Sequence, residues 1–311
     1  MAPWYLTVFA MALICNLVLK APRPRLSDAR ATEVILGGRN GSDGSLPPVF
    51  AHRGGGREAP ENTLAGIREA KRCNASGVHL DLSFTSDEVG VLLHDDSLER
   101  TTNGAGKLTS TTFEHLRQLD AASKHPLAKC YRGERVPTID EAVQECLRLG
   151  LRLIIHVKEL GPRSAVRLNR LFYENPSLYH LALVASPSPE LIYGLRLRNP
   201  NIVTALTWRP GFYAYSDEEN LKARFESPVK HWIAQALDWI ADSAFHCGFT
   251  SYATGVSAVL VNKDSLSADY VRAWRDRGIH VIAWTSSSSK QNDFLRKVLR
   301  VPIITDALRQ A

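Results

Sequence analysis

Residues 49–70 read "VFAHRGGGREAPENTLAGIREA". The run "VFAH" has the composition of a short buried strand, and it ends in His52 and Arg53. Three glycines follow, and then "TLAGIREAKRC" spaces its apolar residues as a helix does. A strand that leads through glycine into a helix is one βα unit. A second stretch, residues 77–104, reads "GVHLDLSFTSDEVGVLLHDDSLERTTNG" and again sets histidine and aspartate within apolar runs.

Working outward, eight β-like runs can be marked: "VFAH" (49–52), "VHLDLSF" (78–84), "VGVLLH" (89–94), "LRLIIHV" (151–157), "LALVAS" (181–186), "IVTALTW" (202–208), "VSAVLV" (256–261) and "IHVIAW" (279–284). Helical patterns such as "TIDEAVQECLRLG" lie between most of them. This alternation argues an α/β protein with a parallel sheet. Eight units in about 260 residues suit a closed (β/α)8 TIM barrel.

The N-terminus differs in kind. Residues 1–19, "MAPWYLTVFAMALICNLVL", carry no charged side chain, and Lys20, Arg23 and Arg25 follow. That length approaches a bilayer span. No basic residue precedes the apolar run, which favours an uncleaved membrane anchor over a cleaved signal peptide. The expected organisation is residues 1–20 as anchor or signal segment, 21–48 as a linker rich in Pro, Gly, Arg, Ser and Asp, and 49–311 as the barrel domain. A chain starting near Ser45 is then expected to fold. Orientation stays open. The basic residues favour a cytoplasmic C-terminal side, whereas the sequons at Asn40 and Asn74 are usable only if the catalytic domain is lumenal or extracellular.

Lys and Arg number 38 against 32 Asp and Glu, scattered without a basic stripe, so nucleic acid is not an expected partner. The five cysteines form no CxxC pair, which argues against a cysteine zinc site. Residues 210–250 are longer than a simple connection, and Trp232, Ile233, Leu237, Trp239 and Ile240 can form one apolar helix face. A buried loop and strand are expected over 243–262, and a membrane-contacting helix before it is the alternative reading.

In a TIM barrel the active site lies at the C-terminal ends of the strands. His52 and Arg53 close the first run, His94 and Asp95 the third, His156 and Lys158 the fourth, and Trp284 and Thr285 the eighth. His79 and Asp81 stand two apart on the second run, hence on the same face. Gathering these groups at one mouth without partners or a ligand would be costly.

The stretches "AHRGGGREAPENTLAGIREA", "GVHLDLSFTSDEVGVLLHDDSLERTTNG", "RVPTIDEAV", "HVK", "AWT" and "IITD" occur in this order from residue 49 onward. In them the chain resembles the glycerophosphodiester phosphodiesterase family, and in particular its membrane-anchored mammalian branch. The resemblance implies a (β/α)8 barrel with a small insertion after the third strand, near 96–135. It implies metal-dependent hydrolysis of glycerophosphodiesters to an alcohol and glycerol 3-phosphate. Glycerophosphoinositol and lysophospholipid-type substrates both occur in the family. His52 and His94 would then be the acid–base pair, Arg53 and Lys158 the phosphate-binding cations, and Trp284 a pocket residue.

The metal ligands depart from the family pattern. Glu-x-Asp is replaced by His79-Leu80-Asp81, and the later carboxylate by His156. The family implies Mg²⁺ or Ca²⁺, which want hard oxygen ligands. A His79–Asp81–His156 set suits Mn²⁺, Zn²⁺ or Co²⁺ instead. Two readings follow: an active phosphodiesterase with a softened metal site, or a membrane-tethered, catalytically impaired relative that binds glycerophospho-compounds or a protein partner.

Overall fold

The computed structural model describes residues 26–38, 44–158, 162–216 and 221–310. The apolar segment 1–20 and the Asn40 sequon lie outside the described residues, whereas Asn74 is exposed. The strands are β1 Val49–His52, β2 Gly77–Phe84, β3 Gly90–Leu92, β4 Arg152–Val157, β5 Ala182–Ser186, β6 Val203–Trp208, β7 Ala258–Asn262, β8 His280–Ser286 and β9 Ile303–Thr305. The helices are α1 Asp28–Leu36, α2 Leu64–Arg72, α3 Phe113–Gln118, α4 Ile139–Leu149, α5 Pro162–Glu174, α6 Leu178–Leu181, α7 Pro189–Arg198, α8 Pro228–His246, α9 Phe249–Thr254, α10 Ala268–Asp276 and α11 Ser289–Asp293.

Eight strands pair in parallel around a ring, and β1 closes it by pairing with both β2 and β9. The expected TIM barrel is therefore present, but its eight strands are not the eight marked in the sequence. The run at 89–94 contributes β3, which lies antiparallel to β2 with Phe84 opposite Gly90. Only residues 85–89 connect the two, and a parallel return needs a dozen or more residues. A hairpin is the one geometry so short a turn allows. The closing strand is instead β9, three residues long and too short to show a period.

Two apolar layers hold the barrel. One fills its interior with Phe50, Ile154, Leu183, Val203, Leu260, Ile282 and Ile304. The other lies between strands and helices and includes Leu80, Ile155, Phe172 and Trp274. The insertion between β3 and α4 carries α3 and a small core of its own, including Leu98, Leu108, Leu116 and Val136.

Residues 28–36 are not the linker expected for 21–48. They form α1, whose Ala31, Val34 and Ile35 pack into the interior cluster. Ser27 caps the helix by accepting from Arg30 N, and Gly37 ends it at φ 74°. Three buried apolar residues in nine positions were too few to stand out as a period. A chain starting at Ser45 would expose the apolar residues that α1 covers. Burying a Val or Ile is worth about 1.5–3 kcal/mol, so that chain should melt roughly 10 °C below one starting at residue 26. Thermal unfolding of the two lengths checks this, and equal midpoints would restore 28–36 to a linker.

The stretch 243–257, expected as a loop, is largely helical, ending α8 and forming α9. Ser251 and Thr254 bond their hydroxyls back to the carbonyls of Gly248 and Thr250 (both 2.8 Å), which lets hydroxyl-rich sequence stay helical. Among the described residues no helix is long and apolar enough to cross a membrane.

Candidate active site

The glycines after β1 answer to backbone geometry. Arg53, Gly54 and Gly55 all take positive φ (53°, 83° and 94°), which reverses the chain over the mouth of the barrel. A Cβ on Gly54 would stand 3.1 Å from the backbone carbon of Gly66, so the turn lies against α2. Asn62 N donates to Arg53 O (2.7 Å) and Thr63 caps α2, which fixes the "PENT" segment beneath the turn.

Strand register brings the polar residues together. His79 lies opposite His52, and His156 opposite Asp81. The rings of His52 and His79 are 5.3 Å apart, and those of His79 and His156 are 5.1 Å apart. Asp81 Oδ1 lies 3.3 Å from His156 Nδ1, while Oδ2 accepts from Asn62 Nδ2 at 3.0 Å and stands 3.5 Å from Arg53 Nε. Asn62 completes the clamp by accepting from Asp81 N (3.1 Å).

His79, Asp81 and His156 are all buried, and each can offer one ligand atom within 4.8 Å of the others. His79 Nδ1 and His156 Nε2 are buried without a hydrogen-bond partner among the described residues. Such orphaned nitrogens are costly, and a metal ion would satisfy both. Two imidazoles and one carboxylate are borderline donors, so the residues fit a divalent transition metal. Burial holds the pKa of both histidines down, against the pull of Asp81, with His79 well below its usual value. Burial opposes the Asp81 carboxylate, yet the His156 hydrogen bond and the charge of its neighbours outweigh it, leaving its pKa well below the usual range.

These directions set an acid sensitivity. An unfolded chain protonates both histidines near their ordinary pKa of 6.5, and the folded chain resists. The stability they contribute is therefore present above that value and is lost as pH falls below it. The depressed Asp81 carboxylate contributes stability that goes only in stronger acid. Metal-free protein should thus unfold at lower urea at pH 5.5 than at pH 7.5. An unchanged midpoint would show that neither imidazole is held neutral.

Two more histidines are each held by a carboxylate. His52 Nδ1 is 2.7 Å from Asp306 Oδ1, just beyond β9. His94 follows β3, outside the ring, and Leu93 N bonds to Asp81 O (3.1 Å) to tie that segment to the mouth. His94 Nδ1 is 2.5 Å from Asp95 Oδ1, and Lys158 donates to His94 Nε2. Arg100 links Asp95 to Glu61, donating to the Glu61 carboxylate at 2.7 and 2.8 Å, and Glu61 also accepts from Arg53 Nη1 at 3.0 Å. Burial disfavours the Asp306 charge, but the His52 hydrogen bond and the charges of His52, Arg53 and Arg57 together outweigh it and the pKa falls. Glu61 falls likewise through Arg100 and Arg53, against the opposing effect of its burial.

The eight residues given a role from the sequence, and Asp95 and Thr285 with them, line one cavity of about 1660 Å³. Trp284 lines it together with the apolar residues Phe212, Tyr213, Phe225, Ile233 and Leu237 and with the His and Arg groups. Sequence reasoning gave no role to Asp306, Asn62, Glu61 or Arg100. Their signal lies in the motifs "IITD", "PENT" and "LERTT", whose polar residues meet His52, Asp81 and one another only when the barrel closes.

Comparison with known proteins agrees with this architecture. The Glycerophosphoryl diester phosphodiesterase family matches residues 52–310. The chain is similar to Glycerophosphodiester phosphodiesterase 1 of Bos taurus, 42% identical over 260 residues, covering 84% of this chain and 78% of the relative. The human protein of that name is 39% identical over the same shares. Among solved structures, an Oleispira antarctica phosphodiesterase in complex with sn-glycerol-3-phosphate superposes with a TM-score of 0.66 at 21% identity, covering 85% of this chain and 95% of that one. With the barrel, the ordered motifs and these matches together, the chain belongs to the glycerophosphoryl diester phosphodiesterase family, enzymes of the phosphoric diester hydrolase class.

Proposed function

We propose that the chain hydrolyses glycerophosphodiesters to an alcohol and a glycerol phosphate, with His52 and His94 moving the protons. The observation that carries this is the pair of imidazoles at the mouth, each held at Nδ1 by its own carboxylate, Asp306 and Asp95. A carboxylate at Nδ1 fixes the tautomer and leaves Nε2 to exchange a proton. One imidazole takes a proton of the attacking water as its oxygen forms the new P–O bond. The other gives a proton to the departing oxygen as the old P–O bond breaks. Arg53 holds the nonbridging oxygens with its planar fork, and Lys158 at His94 adds positive charge to the same place. His79, Asp81 and His156 would hold a divalent metal, which when bound supplies Lewis acidity and neutralises charge developing on phosphorus oxygens.

The test is release of glycerol phosphate from glycerophosphoinositol, and of acylglycerol phosphate from a lysophospholipid, each with Mn²⁺, Co²⁺, Zn²⁺ and Mg²⁺. No release with any ion sinks the reading. It would favour the second one, binding of glycerophospho-compounds without turnover, which the exchange of two family carboxylates for His79 and His156 supports. The cavity's apolar lining suits an acyl chain on the substrate's glycerol as well as an inositol alcohol. Residues 1–19 would tether the enzyme to a membrane, with the barrel on the lumenal or extracellular side if the Asn74 sequon is used.

Arg53→Lys should act mainly on affinity. A lost hydrogen bond to a charged group is worth about 1.5–3 kcal/mol, so KM should rise at least roughly tenfold with a smaller change in kcat. An unchanged KM would remove Arg53 from phosphate binding.

A further inference from the structure

Helix α8 buries Asp238 with Ala234 and Phe245 and leaves most of its large apolar residues outward. On the inner face Asp238 is buried and accepts from Tyr213 N (2.7 Å) and Ala214 N (2.8 Å), and Asp242 accepts from Trp208 Nε1 (2.8 Å). On the outer face stand Val229, Trp232, Ile233, Leu237, Trp239 and Ile240, with Trp232 69% and Trp239 73% exposed. At helical periodicity these six fall within an arc of roughly 160°, and no charged residue lies inside it. Large apolar patches that face outward mark interaction sites.

The surroundings say what covers this face. Among residues 221–240, Lys222, Arg224 and Lys230 are exposed cations, against one exposed carboxylate, Glu226. Cations beside an apolar face with exposed tryptophans match a phospholipid surface, whose phosphates lie above its acyl chains. The face is also continuous with the catalytic cavity, because Ile233 and Leu237 line both. A second copy packed here would set two cavity openings against each other. A lipid surface meets the opening with molecules that carry a phosphodiester. Since α8 is not apolar enough to span a bilayer, it would lie along the boundary between lipid and water.

We infer that the outer face of α8 docks on a phospholipid surface and sets the barrel mouth at that boundary. The inference rests on the helix geometry and not on turnover, so its test reads contact and not hydrolysis.

The chain has six tryptophans, of which Trp4 lies in the apolar N-terminal segment. Full-length protein carrying Trp4→Phe is mixed with phosphatidylcholine–phosphatidylserine vesicles, either plain or brominated on the acyl chains. Bromine quenches tryptophans that enter the lipid. Emission should fall on the brominated vesicles, and adding Trp232→Phe and Trp239→Phe should remove most of that fall while circular dichroism stays unchanged. Equal quenching with and without the two α8 tryptophans overturns the inference, as does no quenching in either protein. A dimer in vesicle-free solution that Trp232→Glu with Trp239→Glu dissolves would assign the face to a second copy, and likewise overturns it.

Discussion

Replacing His52 or His94 by alanine should lower turnover by about 10²–10⁴, the usual contribution of a positioned acid or base, with folding intact. Both side chains already line the open cavity, so truncating either one enlarges that cavity instead of opening a void in the packed layers. The effect should exceed that of Asp306→Asn, which leaves the imidazole present but removes the charge that orients it. In the asparagine variant the fall should be partial, because the imidazole stays in place but loses the carboxylate that orients it. Steady-state rates across pH, with circular dichroism as the folding control, check both statements. A His52 or His94 variant that keeps the full rate would take that residue out of the mechanism.

The second large effect concerns the metal. With His79 and His156 beside Asp81, binding and hydrolysis should respond to Mn²⁺, Co²⁺ or Zn²⁺ at least about tenfold more than to Mg²⁺, since imidazole suits these ions and Mg²⁺ prefers oxygen. The double exchange His79→Glu with His156→Asp should move the preference back toward Mg²⁺. Each single exchange should do less than the pair, because ligands of one ion act as a unit. In the natural set, two neutral imidazoles and one carboxylate leave a divalent site at plus one. Three carboxylates would leave it at minus one, so the exchange also alters the charge that the anionic substrate meets. Calorimetric titration with each ion and a hydrolysis assay together decide the matter. Full activity with Mg²⁺ in the natural protein would show that these three residues are not the ligand set. Absence of any bound metal, with hydrolysis appearing only in the double variant, would show that the imidazoles close a disused site.

Much of the site was legible because its residues sit within short motifs. His79 and Asp81 are two apart on one strand, and period two alone puts them on one face. His52 and Arg53 precede glycines that only a tight reversal requires, and the positive φ values show that reversal. Trp284 was found by its place near the end of a strand, and it lies on the cavity wall. The membrane-facing reading of α8 began as an apolar pattern at Trp232, Ile233, Leu237, Trp239 and Ile240. Periodicity showed that these share a face, but it could not say whether that face points inward or outward.

By itself the sequence determined the α/β alternation, the short motifs in which the reactive groups stand and the family to which the chain belongs. These depend on neighbours within a few residues, where periodicity and turn chemistry act. Only the tertiary structure decided which strands close the ring, because a five-residue turn forces β3 into a hairpin and leaves the last place to three residues near the end of the chain. It also decided that α1 covers the barrel interior and that Asp306 orients His52, a partner 254 positions away. Pairings of that kind follow from closure of the whole barrel and from the burial it enforces, and no local pattern encodes them.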